Sequence, residues 1–219
     1  MQVELLLFGI IPDKELFKLI SRLCFLSGQL SHHAMNYSEH EIVFIPSIET
    51  PYGPKRKDDV VLRLLSSFTD SNQAFIPLDK RSWTLVQTSS PLPATHPSHP
   101  ISRSFLSCQI DDGHVFKFMN RLGYTSSFEI VRQGYSFHIH RIHLTVYVPS
   151  QPSESFRVST GMPLIKDQWI CKASLQVSQE HVSEAQEQLK WLSNALAGLV
   201  SLKPVDHTLL DYRINYQKH

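Results

Sequence analysis

Apolar residues recur along this chain with two periods, and the switch between them marks most of its elements. "QVELLLFGII" is apolar until Gly9 and Pro12, so Gln2 to Phe8 reads as a buried strand. In "PDKELFKLISRLCFLSG" the residues Leu16, Phe17, Ile20, Leu23 and Cys24 recur at three- and four-residue steps, which predicts a helix. Pro12 suits its first turn, Asp13 and Glu15 suit its positive end, and Gly28 can close it in a left-handed conformation. "EIVFIP", "DVVLRLLSSF", "WTLVQT" and "SRSFLSCQI" read as strands. "DDGHVFKFMNRLGY" predicts a short helix capped by Asp111 or Asp112, with Val115, Phe116, Met119 and Leu122 as its stripe and Gly123 as its stop. Two strands follow, Ser127 to Arg132 and Tyr135 to Val148, with a predicted turn at Gln133-Gly134. "WICKASLQVS" is a strand, and Ser178 then caps a helix whose apolar face holds Val182, Ala185, Leu189, Leu192 and Leu196. "LLDYRIN" reads as a last strand.

Polar punctuation separates these elements. "SIETPYGPKRKDD" is a surface loop, and its basic tip Lys55, Arg56 and Lys57 reads as a solvated turn. "SSPLPATHPSHPIS" holds Pro91, Pro93, Pro97 and Pro100, a spacing that forbids helix and interior strand alike. Residues near 89–102 are therefore expected to form a flexible proline-rich loop within a single domain spanning 1–219, because the strands on either side look alike. Helices do not alternate regularly with strands, which argues against a doubly wound parallel sheet. The expected class is α+β: an antiparallel β-barrel with a few helices packed outside it.

Composition narrows the chemistry without naming it. Lys plus Arg number 21 and Asp plus Glu 20, a net charge of +1, which gives no global pull toward nucleic acid or anionic membrane. The three cysteines, Cys24, Cys108 and Cys171, lie far apart with no CxxC, which argues for buried thiols in a reducing compartment. The opening apolar run lacks a basic leader and a cleavage site, so it reads as a strand of a soluble, intracellular protein.

"GYSFHIHRIHLTVYV" carries His138, His140 and His143. On one regular strand, alternation places His138 and His140 on one face and His143 opposite them. The apolar phase inverts after Arg141, which a bulge or a change of environment along the strand would explain. Zinc needs a tetrahedral set of ligand atoms at about 2.1 Å, and no cysteine or acidic residue stands nearby to complete one. These histidines, the pair His32-His33 and the loop residues His96 and His99 are expected to hold no metal.

Three stretches in order carry a family resemblance. "FMNRLGYTSSFEIVRQGYSFHIHRIHLTVYVP" resembles the central signature of the Mediator subunit 18 family, a component of the head module of the transcriptional coactivator. "VELLLFGIIPDKELFKLISRLCFLSG" is similar to that family's opening, and "LSNALAGLVSLKPVDHTLLDYR" to its close. The stretch from Ser31 to Ile101 is matched poorly, and the short loops suggest a compact, fungal-type member. The resemblance implies a barrel shaped like the triphosphate tunnel enzymes and a nuclear protein without cofactor. It also implies pairing with Mediator subunit 20, binding of a C-terminal helix of subunit 8, and contact with RNA polymerase II through the assembled head.

The rival reading is a barrel-type triphosphate-binding protein or metal-dependent triphosphatase. That chemistry needs inward E-x-E pairs for divalent ions and inward Lys and Arg for phosphates. Glu4 is a lone carboxylate in the first strand. The one E-x-E, Glu39 to Glu41, has Val43 where a lysine would stand and reads as the solvated start of an apolar strand. Arg63, Arg103, Arg132 and Arg141 fall on expected strands, but cations alone recruit no metal. GxSxG, P-loop, GxGxxG and HExxH motifs are absent. The expectation is a non-catalytic protein–protein interaction subunit, with no membrane span and no specific nucleic-acid site. Tyr135, Phe137, Ile139 and Tyr147 are its candidate partner-binding residues, since large apolar groups dominate interfaces. The same four can instead face the protein's own core.

Overall fold

Alternation sorts the strand side chains onto two walls of one curved sheet, and the apolar wall is the outer one. The computed structural model describes residues 2–28, 35–47, 60–68, 78–91, 99–111, 113–156, 158 and 161–210. Along these residues run β1 (Gln2–Pro12), α1 (Leu16–Ser27), β2 (Met35–Pro46), β3 (Leu62–Ser67), β4 (Trp83–Thr88), β5 (Ile101–Ile110) and α2 (Val115–Arg121). They continue with β6 (Tyr124–Ile139), β7 (Ile142–Pro152), β8 (Gly161–Pro163), β9 (Gln168–Ser178) and α3 (Val182–Ala195). The sheet order is β6-β2-β3-β4-β5-β1-β9-β7-β8, and β6 also pairs with β7. That pairing closes eight antiparallel strands into a barrel and leaves β8 as a flank on the end of β7. Closure removes the unpaired strand edges of an open sheet.

The outer wall is covered in two places. Val3, Leu5, Leu7 and Ile11 of β1, Leu144 and Val146 of β7, and Ala173 and Leu175 of β9 pack against Leu19 and Leu23 of α1 and Leu189 and Leu192 of α3. Ile42, Phe44, Leu64 and Trp83 of β2 to β4 pack beneath Val115 and Met119 of α2. Each fully buried side chain of this size contributes about 1.5–3 kcal/mol relative to exposure. No described helix is long and apolar enough to cross a membrane.

Several boundaries differ from the sequence reading, each for a visible reason. Gly9 does not end β1. A Cβ there would sit 2.6 Å from Cγ2 of Val200, so this glycine admits the segment that bridges Phe8 to Lys203. Gly28 closes α1 at φ 70°, as expected. The expected cap of α2 by Asp111 or Asp112 is not observed: His114 holds the N-cap position with no side-chain cap bond, and Asp112 lies outside the described residues. Leu122 is exposed rather than part of the α2 stripe, because α2 ends at Arg121. Ser178 precedes a short 3-10 turn that leads into α3, and its hydroxyl bonds the side chains of Glu180 and His181 instead of a helix N–H.

The largest correction concerns the hairpin. Gln133 and Gly134 lie inside β6, and the chain reverses at His140-Arg141, with Ile139 and Ile142 as the last pair. His140 adopts φ 52° there. The inversion of apolar phase is therefore neither a bulge nor a crossing but the turn itself. Gly134 is required by proximity, since a Cβ at that position would fall 2.0 Å from the carbonyl oxygen of Val146 on β7. The basic tip at 55–57, His32, His33, His96, the proline-rich residues 92–98 and the last expected strand beyond Leu210 lie outside the described residues.

Candidate functional site

The inner wall carries most of the strand charges and lines a cavity of about 340 Å³. Strand parity places its charges: Glu4 from β1, Glu39 and Glu41 from β2, Arg63 from β3, Arg103 from β5, Arg132 from β6 and Lys172 from β9 all line it. The Glu39-x-Glu41 pair is thus not the solvated start of a strand. Glu41 is only 4% exposed and faces the lumen. The polar run "MNYSEHE" belongs to β2 because a barrel with a polar interior needs polar residues at alternate positions.

These charges are arranged as two clusters. In the first, Arg103 donates to Glu4 from Nε at 2.8 Å, and its Nη2 lies 2.7 Å from the same oxygen. Lys172 stands farther off, at 3.9 Å from the other Glu4 oxygen. Burial alone would raise the Glu4 pKa; Lys172 and Arg103 reverse this and hold the carboxyl below its ordinary value. In the second cluster, the Arg132 guanidinium bridges the two carboxylates of β2, with Nη1 2.8 Å from Glu39 and Nη2 bonded to Glu41. Arg63 approaches Glu41 from the other side at 3.3 Å. Burial opposes the Glu41 charge, but Arg132 and Arg63 prevail and lower its pKa, while Glu41 and Glu39 outweigh burial and raise that of Arg132. Tyr147 and Tyr37 flank Arg132, with their rings 6.1 Å apart.

Two of the histidines do meet, contrary to the parity argument, because the turn makes them cross-strand partners. His138 of β6 pairs with His143 of β7, and their rings stack at 4.8 Å. His143 also shares a hydrogen bond of 2.9 Å with the Ser136 hydroxyl. Burial, then His138, then Lys172 push the His143 pKa down to about 4, so the ring is neutral near pH 7. His140 points elsewhere and meets Trp191 on α3. Among the described residues no group of three His, Cys, Asp or Glu is arranged to hold a metal ion. The carboxylate pair that would come nearest is already occupied by a guanidinium.

The four candidate partner residues do not form one surface. Phe137 and Ile139 are fully buried in the core beneath the helices. Tyr135 lies on the same outer face, half-buried, with its ring 6.0 Å from that of Trp169. Tyr147 points the other way, into the lumen. The lumen charges Glu41, Arg63, Arg103, Arg132 and Lys172 were not grouped by sequence reasoning. The signal that would have found them is in-phase polar residues within strands, Tyr37, Glu39 and Glu41 above all.

A model of the family described as Med18 protein matches residues 3–213. No curated protein sequence matches the chain. Among solved structures, a chain of the Schizosaccharomyces pombe Mediator head module is similar at 22% identity and TM-score 0.75, over 94% of this chain and 99% of that one. The Pyrococcus horikoshii protein PH1819 follows at 14% identity and TM-score 0.57, covering 94% and 97%. A putative adenylate cyclase from Vibrio parahaemolyticus shares 10% identity at TM-score 0.53, covering 95% and 97%. These structural likenesses establish a shared barrel fold. The match across nearly all of the sequence goes further: the chain belongs to the Med18 protein family.

Proposed function

We propose that this chain is a non-catalytic subunit of the Mediator head module that works in the nucleus by holding partner subunits in fixed relation. Family membership and the fold shared with a head-module chain support a Mediator subunit role. Its partners in this reading are Mediator subunit 20 and a C-terminal helix of subunit 8, and the assembled head couples regulators to RNA polymerase II. The observation that carries the non-catalytic part is the Arg132 bridge across Glu39 and Glu41. A buried guanidinium between two carboxylates fills the place where a divalent ion would be bound, and dislodging it would leave buried charge unpaired.

Partner contact through the hairpin rests on Tyr135, the one of its four candidates that is partly open on the outer face. Co-expression of the chain with its own organism's subunits 20 and 8 tests the proposal. A stable three-protein complex on size exclusion is expected. A chain that stays monomeric in their presence, and that releases phosphate from triphosphates with magnesium or manganese, would replace this reading by the triphosphatase one.

A further inference from the structure

His40 is fully buried on the outer wall, in the polar half of β2. Its ring lies 5.9 Å from that of Trp83 on β4, and Ser66 on β3 is its uncharged register partner. Two charged groups face it among the described residues: Glu129 of β6, and Arg81, which follows the 3-10 turn Leu78–Lys80. Nε2 of His40 lies 2.7 Å from Oε2 of Glu129, and Nδ1 lies 3.3 Å from Nη1 of Arg81.

These partners fix the ring proton. A guanidinium only donates, so Nδ1 accepts and the proton sits on Nε2, from which it donates to Glu129. The ring is neutral while Arg81 is docked. A second proton would go to Nδ1 and aim a charged N–H at the Arg81 guanidinium, a like-charge contact in a buried site. Beside Glu129 there is room for one cation at this ring: Arg81 over a neutral imidazole, or an imidazolium with Arg81 displaced. Burial, aided by Arg81, outweighs Glu129 and holds the His40 pKa below its ordinary 6.5. Arg81 also belongs to a turn that receives the buried Trp83 indole. Trp83 Nε1–H donates to the Leu78 carbonyl at 2.9 Å, and the Arg81 amide reaches the same oxygen at 3.5 Å.

We propose that His40 and Arg81 form an acid-released latch: Arg81 holds the turn ahead of β4 against the barrel while the ring is neutral, and protonation of Nδ1 expels Arg81 and frees the turn. Glu129 stays in place in both states. It keeps the Nε2 proton and the Phe156 N–H, whose nitrogen lies 2.9 and 3.1 Å from its two oxygens. The latch uses neither the lumen charges nor a partner subunit, so it stands or falls apart from the Mediator reading.

The test is an NMR titration of the full chain from about pH 7.5 to about pH 4.5, a range that spans imidazole protonation. The His40 ring nitrogens report tautomer and charge, and the Trp83 indole N–H reports the turn. The Nε2–H tautomer is expected at the upper end, followed by one transition in which the indole resonance moves with the His40 ring and shares its midpoint. Arg81→Gln removes the opposing charge and should raise the His40 midpoint. His40→Gln offers an amide N–H to Glu129 and a carbonyl to Arg81 but takes no proton, so the indole transition should be lost while the turn stays docked. An Nδ1–H tautomer at the upper end, an indole signal that does not follow the ring, an indole transition retained in His40→Gln, or a His40 midpoint unchanged in Arg81→Gln would overturn the proposal.

Discussion

Glu41 shows how one residue ties the interior together. Its carboxylate is buried and charged, which is stable only while Arg132 and Arg63 surround it. Its pKa in the fold is below the ordinary 4.5, so the stability it contributes is present above that value and is lost as pH falls through the folded pKa. Arg132→Met should destabilise the protein by about 3–5 kcal/mol near pH 7, measured by urea unfolding. The deficit should shrink as pH falls and Glu41 becomes protonated, and a deficit independent of pH would contradict the assignment. His143 behaves in the opposite chemical sense with the same sign. Its folded pKa of about 4 lies below the ordinary 6.5, so the unfolded chain binds more protons between these values and stability falls as pH drops from 6.5 to 4. His143→Gln should flatten that part of the stability curve. On the outer face, Phe137→Ala should cost about 3–5 kcal/mol through the cavity it leaves. Tyr135→Ala should cost less stability and weaken partner binding more.

At the scale of elements, the first half of β2, the short β8 and the β6–β7 turn were misread, each for a different reason. α1 and α3 were legible because an amphipathic helix shows one apolar stripe whatever lies inside the barrel. The apolar "EIVFIP" was legible too, but the first half of β2 was not, since its lumen-facing Tyr37, Glu39 and Glu41 resemble the polar residues of a loop. β8 is three exposed residues, Gly161, Met162 and Pro163, too short to carry a periodic signal. The hairpin was misplaced because a glycine was taken for a turn, whereas His140 turns the chain and Gly134 permits close approach of β7. Gly134→Ala tests this directly. It should lower the melting temperature by several degrees, as a ΔΔG of about 1–3 kcal/mol would for a chain of this size, and loosen the β6–β7 closure in hydrogen exchange. Were Gly134 in a turn, the same change would be felt mainly in the loop, and exchange across the closure would be unaltered.

On the scale of the molecule, the barrel is turned inside out relative to a simple globular core. Its apolar side chains lie between strands and helices, and its charges lie within. This follows from sequence only when strand parity is combined with closure, because neither the pattern nor the composition reveals which face of a curved sheet is inner. Exposed Phe17 and Phe25 on α1 leave apolar area on the outside. In the proposed non-catalytic reading Arg132 fills the position a divalent cation would need, and isothermal titration with manganese at pH 7 tests this. The wild-type chain should show no saturable binding, and Arg132→Ala should gain a site that Glu41→Gln removes. Tight manganese binding by the wild-type chain, lost in Glu41→Gln, would contradict the account.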